Sequence, residues 1–427
     1  MFTPNNFYKY IKQYLASKDP YAEPQWFNPH GSRDLHNVRN FGDITTPQAP
    51  VRFTGQVALF DQEPIELDYF KHWRDFDPAD LHPKTAYFKS PNYSKKLSEI
   101  DFIFYRYSGV YTPILCHSET NSDGVDLFAN NYFHPVHYFF HGLLAREWFR
   151  HWKHYSMPQS ESANRLGLYA RAADGSRSYR LTLLEKLIPF KDSVYYRLQP
   201  EIADLMDPAV KRNWRFNTES INAEYSAKIV QADTANFKIQ LVPETLFDTE
   251  KTHLTEKVFK PIVMQQPFIV VGPPGSLEYM RHYGFRTFDG LWDESYDKEM
   301  NADRRMEKII QVVEYLTSLN DEAFNRILDR AQRTIQHNLT RFYSHEFEDQ
   351  ILQEMYSNFE TALIERNKQF YTMPGGTWFH YQNKLLNEGV KPPAWNKKIN
   401  ANILTYLTEI NEPDVAKEII KKYPNLI

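Results

Sequence analysis

Short apolar runs separated by polar and turn-forming residues set the pattern of this chain, and long amphipathic stretches follow them. In the first 150 residues the runs are VALF (57–60), DFIFY (101–105) and PILC (113–116), each bounded by polar or turn residues as buried strands are. A polar cluster follows each one: DQEP the first, Arg106 the second and HSETNS the third. In an open parallel sheet the carboxyl ends of the strands are where ligands bind. The segment YFFHGLLAREWFRHWKHY (138–155) carries apolar residues at helical spacing and ends in His, Lys and His, which complement a helix C-terminus. SMPQSESAN (156–164) reads as a linker.

From residue 165 the pattern alternates. RLGLYARAADGSRSYRLTLLEKL (165–187) predicts a strand, a turn at Gly175 and a helix, and SVYYRLQ and FKIQLVPE predict further strands. LTEKVFKPIVMQ opens a helix expected over 254–266, PFIVVG is a strand, and SLEYMRHYG is a helix closed by Gly284. Alternation of this kind predicts a doubly wound α/β domain. The run 298–369 is helical and charged, and the last fifty or so residues hold two short helical stretches, NANILTYLTEI and EPDVAKEIIKKY. The domains expected are 1–160, 165–370 and an appendage, 371–427.

Length agrees with more than one domain, because 427 residues exceed what one core usually serves. Hydrophobic residues at 42% and aromatics at 15% supply large cores. Lys plus Arg is 50 against 54 for Asp plus Glu, a net charge of -4, so no global positive field recruits nucleic acid or an anionic membrane. The single cysteine, Cys116, excludes an intramolecular disulfide and a cysteine-rich zinc site, as suits a reducing compartment. The amphipathic N-terminus has no signal-peptide core, and no apolar run approaches the roughly 18 residues of a membrane span, so a cytoplasmic protein is expected. Neither low-complexity tracts nor a repeat period is present.

The stretch HLTEKVFKPIVMQQPFIVVGPPG (253–275) concentrates the candidate chemistry. A helix starting just after Thr252 or Thr255 places Glu256 and Lys257 in its first turn, where free backbone N–H groups and the helix dipole attract phosphate. Lys257 adds a full positive charge, and Glu256 accepts hydrogen bonds from vicinal hydroxyls such as those of a ribose. An isolated Glu-Lys pair at a helix start is more often ordinary dipole complementation. Here an apolar strand follows it and ends in the Gly272–Gly275 turn, in the order expected of a nucleotide-sugar pocket.

ETLFDTEKTHLTEKVFKPIVMQQPFIVVGPPG resembles the donor-binding motif of GT-B glycosyltransferases, most closely the α1,3-fucosyltransferase type, and is also similar to phage-encoded putative glycosyltransferases. The resemblance implies two Rossmann-like domains facing across a cleft, with the helical appendage outside it. It implies ribose contact by Glu256, diphosphate contact by Lys257, and a role for an upstream acid, Glu244, with Asp248 as competitor. YARAADGSRSYRLTLLEKL resembles the family's first strand-turn-helix, whose arginine binds donor phosphates; Arg177 takes that place and Arg171 is a second candidate. The likeness covers residues 165–290, while the charged insert DTEKTH departs from it. That departure leaves UDP-sugar and GDP-sugar donors both open.

Inverting sugar transfer needs a base, and cations stabilise the leaving diphosphate, without an obligatory metal in GT-B folds. No Asp-x-Asp stands at a predicted strand end. The base is expected from the first domain: Glu63 and Asp61 rank ahead of His117 and Glu119, for which a structural role competes. His134, His137 and His141 lie at helical spacing, with no carboxylate to complete a metal set, so packing is expected there. The acceptor is a glycan or a hydroxymethylated pyrimidine in DNA, the latter met by WFRHWKHY and KRNWRF. The alternative is a non-catalytic nucleotide- or carbohydrate-binding protein that keeps the fold.

Overall fold

The computed structural model describes residues 114–122, 134–154, 164–217 and 235–372, with the strand 58–60 and a few isolated positions. Asp61, Glu63, the strand expected at 101–105 and the helical stretches of the last fifty residues lie outside them. The chain forms two compact units: Met1–His117, Asp123–Tyr138 and Glu354–Ile427 make the first, Ser118–Ser122 and Phe139–Gln353 the second. Helix formation in 138–155 therefore falls in the second unit.

In the first unit β1 (Ala58–Phe60), β2 (Ile114–His117) and β3 (His134–His137) form a parallel sheet in that order. Thus strands form within VALF from Ala58 and within PILC from Ile114. His134–His137 is a strand where the histidine spacing suggested helix: burial alternates along it, and Pro135 has no N–H to give a helix interior. Glu354 Oε1 lies 3.2 Å from His137 Nδ1, and the Asn358 amide donates to the His137 carbonyl at 3.0 Å.

The second unit opens with α1 (Phe140–Trp148) and is built on four parallel strands, β4 (Asn164–Ala170), β5 (Val194–Leu198), β6 (Phe237–Pro243) and β7 (Phe268–Val271). Their order is β5-β4-β6-β7. The chain steps outward from β4 to β5, returns across β4 to β6 and continues to β7. The winding direction therefore reverses between β4 and β6, the position at which open α/β sheets bind ligands. Between the strands run α2 (Tyr179–Leu187), the short α3 (Pro200–Ala203) and α4 (Pro208–Lys211), and α5 (Phe259–Val263). After β7 come α6 (Ser276–His282), α7 (Ala302–Ser318), α8 (Asp321–Tyr343) and α9 (His345–Thr372), which belongs to the second unit as far as Gln353.

All four residues of β7 are buried, as are Leu166 and Leu168 of β4 and Ile239, Leu241 and Val242 of β6. Such near-continuous apolar strands belong to a parallel sheet covered on both faces. Met306, Ile309, Val313 and Leu316 give α7 one buried stripe, and Asn301 and Asn320 cap α7 and α8 by accepting from Arg304 N and Ala323 N. Among the described residues no helix is long and apolar enough to cross a membrane.

Gly167, in the middle of β4, is required by a close approach: a Cβ there would stand 2.2 Å from the Phe237 ring. Phe237 is buried and stacks on Tyr195 at 5.9 Å between ring centroids, which limits its freedom to yield. Gly167→Ala is therefore expected to destabilise the second unit by about 1–3 kcal/mol. Urea denaturation checks this, and an unchanged midpoint would contradict the packing.

Candidate functional site

The carboxyl ends of β4, β6 and β7 are bound together by two side chains from the first turn of α2. Arg180 donates to the carbonyls of Ala172, Pro243 and Glu244 at 2.7, 3.0 and 2.7 Å. The Tyr179 hydroxyl donates to the Glu244 carbonyl at 2.6 Å and the Val271 carbonyl at 3.2 Å. Burial pushes the Tyr179 phenol up to about 12, so it stays protonated and remains a donor. Neither residue stood out in the sequence, where Arg171 and Arg177 drew attention as the arginines around the turn.

Glu244, the first residue past β6, is completely buried. Its Oε2 accepts from the Thr255 hydroxyl at 2.6 Å and the Thr245 amide at 3.2 Å, and its Oε1 from the Thr255 amide at 3.3 Å. In this structure Glu244 thus anchors Thr255. Thr255 is also the N-cap, accepting from Lys257 N at 3.5 Å, and it accepts from Lys257 Nζ at 2.9 Å.

Beyond Thr255 the chain makes a 3-10 turn, Glu256–Val258, and then α5. The helix expected over 254–266 is shorter in the structure, since Gln265 turns left-handed at φ 55° and Pro267 disfavours helical backbone in the residue before it. Glu256 and Lys257 do occupy the first turn, as expected. The Glu256 side chain is 9% exposed, with Oε1 3.3 Å from Lys257 Nζ and Oε2 3.5 Å from His141 Nδ1. Burial alone raises the Glu256 carboxyl, but Lys257 and His141 outweigh it and hold the group well below the usual carboxylate range. The Lys257 side chain, 30% exposed, remains open to solution while also reaching Thr245 Oγ1 at 3.4 Å.

His141 comes from α1, and packing explains its position. Phe139, just before α1, packs at a tilt against Phe259 of α5, with ring centroids 5.5 Å apart, and against Tyr283 at 4.8 Å, and meets Tyr279 edge-on at 4.8 Å. The imidazole of His253 meets His141 edge-on at 5.2 Å. Burial, helped by His141, Lys251 and Lys257, lowers the His253 pKa far enough to keep that ring neutral. The expectation of packing at His141 omitted its carboxylate partner, because no local spacing links it to Glu256.

The other candidates are placed as follows. Arg171 is exposed and Arg177 half-buried in the β4–α2 loop, on the carboxyl side of β4, and Asp248 is exposed after Phe247. Gly272 ends the β7 run, and Gly275 is left-handed at φ 77°. The first free amides of α6, at Leu277 and Glu278, are taken by the Asp297 carboxylate at 2.8 and 3.1 Å. His117 is buried at the end of β2, its ring edge-on to His137 at 5.7 Å, and Glu119 is buried just beyond it. Among the described residues no group of three or more His, Cys, Asp or Glu side chains is placed to hold a metal ion.

No protein-family model and no curated protein matches the chain. Solved structures do match. A crystal structure of an S. aureus TarM point mutant in complex with fondaparinux, alpha-GlcNAc-glycerol and UDP gives a TM-score of 0.34 at 10% identity, covering 72% of this chain and 55% of that one. Another crystal structure of TarM gives 0.39 at 8% identity, covering 82% and 58%. The chain spans a little over half the length of these structures. Scores this low carry no argument about fold or activity.

The depressed Glu256 pKa has a defined consequence for stability. A carboxylate lowered on folding stabilises the native state above its unfolded pKa, and that contribution is lost as pH falls through the folded value. Glu256→Gln is therefore expected to narrow the gap between wild-type stability at neutral pH and in acid. Urea unfolding at pH 7 and pH 3 measures the gap, and an identical gap in both proteins would refute the assignment.

Proposed function

We propose that this chain is a glycosyltransferase of GT-B type, moving a sugar from a nucleoside-diphosphate sugar to an acceptor hydroxyl. The observation that carries the proposal is the buried Glu256 carboxylate, kept ionised between Lys257 and His141 at the carboxyl edge of a parallel sheet. An ionised carboxylate accepts from two vicinal hydroxyls at once, which suits a ribose. Lys257 meets the diphosphate and stabilises the charge that grows on it as the sugar leaves. Arg171 and Arg177, in the loop after β4 next to the winding reversal, add cations to the same task.

Glu244 acts in this reading by fixing Thr255, and through it Lys257, at the correct height. The acceptor is a glycan hydroxyl or a hydroxymethyl group on a pyrimidine in DNA. Its proton passes to a base, for which Asp61, Glu63 and His117 are the candidates. In this reading fixed cations lower the barrier to departure of the diphosphate without an obligatory metal ion.

The test is a thermal-shift panel of UDP-, GDP-, dTDP- and CMP-sugars, followed by mass spectrometry with simple glycans and hydroxymethylated DNA as acceptors. One nucleotide class is expected to raise the melting temperature, and Lys257→Ala to weaken its binding by about 2 kcal/mol, roughly thirtyfold. No shift with any donor, or no effect of Lys257→Ala, would overturn the proposal. A shift without transfer to any acceptor would favour a binding protein.

A further inference from the structure

Three consecutive residues of the loop that leads into Thr255 are gripped by one short segment, Ser118–Ser122. Thr120 and Thr252 form an isolated antiparallel bridge, with Thr120 N donating to Thr252 O at 3.0 Å and Thr252 N to Thr120 O at 2.9 Å. Lys251 Nζ lies 3.6 Å from Glu119 Oε2, a carboxylate whose side chain has 0% exposure. The same oxygen accepts from the Ser122 hydroxyl at 2.5 Å. Ser118 Oγ stands 3.4 Å from His253 Nδ1. On the opposite side the Thr252 hydroxyl donates to the Pro274 carbonyl at 2.9 Å, tying the loop to the turn between β7 and α6.

We infer that Ser118–Ser122 is a clamp that sets Glu256 and Lys257 for the donor, with Glu119 as a positioning residue acting through Lys251. The inference rests on the donor role proposed above. Residues 248–250 are exposed, and among the described residues the Thr249 hydroxyl donates to the Lys251 carbonyl within the same loop, at 3.3 Å, so these three residues add little to hold the loop in place. Ordering a free backbone costs about 1–2 kcal/mol per residue. A loop already ordered in the free protein does not charge that cost to ligand binding. The clamp acts on 251–253, Glu244 acts on Thr255, and Glu256 and Lys257 follow directly. Lys251 is 16% exposed, so its charge is turned inward toward Glu119 more than toward solution.

The experiment compares Glu119→Gln, Lys251→Met and their double variant with wild type in the full chain. UDP and GDP are titrated calorimetrically below the melting temperature, and hydrogen exchange across 248–257 is followed by mass spectrometry without nucleotide. Each single variant is expected to bind the preferred nucleotide about tenfold more weakly and the double variant no more weakly than the worse single. Exchange across 248–257 should accelerate while the rest of the sheet is unchanged. Lower melting temperature with affinity and loop exchange both unchanged is the result of a merely structural pair and would overturn the inference. Should a charge variant fail to fold, Ser118→Ala is measured in the same way, with the same two outcomes. If wild type binds neither nucleotide, the donor role falls and the clamp's assigned role with it, while the exchange data still report whether the segment holds the loop.

Discussion

An ionised carboxylate with 7% of its residue exposed must be compensated, because taking it out of water costs several kcal/mol even after the surroundings relax. Much of the second unit around Glu256 follows from that constraint. Lys257 neutralises one oxygen from within the same turn. His141 faces the other from a different helix, so α1 has to be held against α5. The ring contacts among Phe139, Phe259, Tyr279 and Tyr283 do this, and they continue through Phe342, Phe347 and Phe285 into α8 and α9. An apolar cluster therefore sets the geometry of a charged one.

A second buried carboxylate, Glu244, works in the opposite sense. Its oxygens are occupied by Thr255 and Thr245, and its backbone carbonyl by Tyr179 and Arg180. Strand ends normally leave carbonyls facing solution; here Arg180 and Tyr179 collect those of Ala172, Pro243, Glu244 and Val271 in one place. The result is a rigid sheet edge at the point where the winding reverses. A ligand received there would spend little energy on ordering the protein, which is what preorganisation supplies.

The elements of the second unit were largely legible because parallel strands buried on both faces write themselves as nearly continuous apolar runs, as in FIVV, and as in IQLV where only Gln240 interrupts. The placement of Glu256 and Lys257 was legible from Thr255 as a cap. Their partners were not: nothing local connects His141 to Glu256, or Arg180 to the ends of β6, since these contacts exist only once the sheet has ordered its loops. The histidines of HPVHYFFHG misled for a related reason. Helical spacing and strand alternation overlap over so few residues, and Pro135 decides for the strand only when its missing N–H is weighed. Glu244 illustrates a further limit, because an acid that ends a strand looks the same in sequence whether it faces a ligand or anchors a cap.

The central claim is that Glu256 and Lys257 receive a nucleoside diphosphate. A crystal structure with UDP or GDP, whichever binds more tightly, tests it most directly. The account predicts ribose hydroxyls within hydrogen-bonding distance of the Glu256 carboxylate and the diphosphate against Lys257 Nζ, with the Glu244–Thr255 contact unbroken. A nucleotide bound elsewhere on the second unit, with Glu256 and Lys257 untouched, would contradict it.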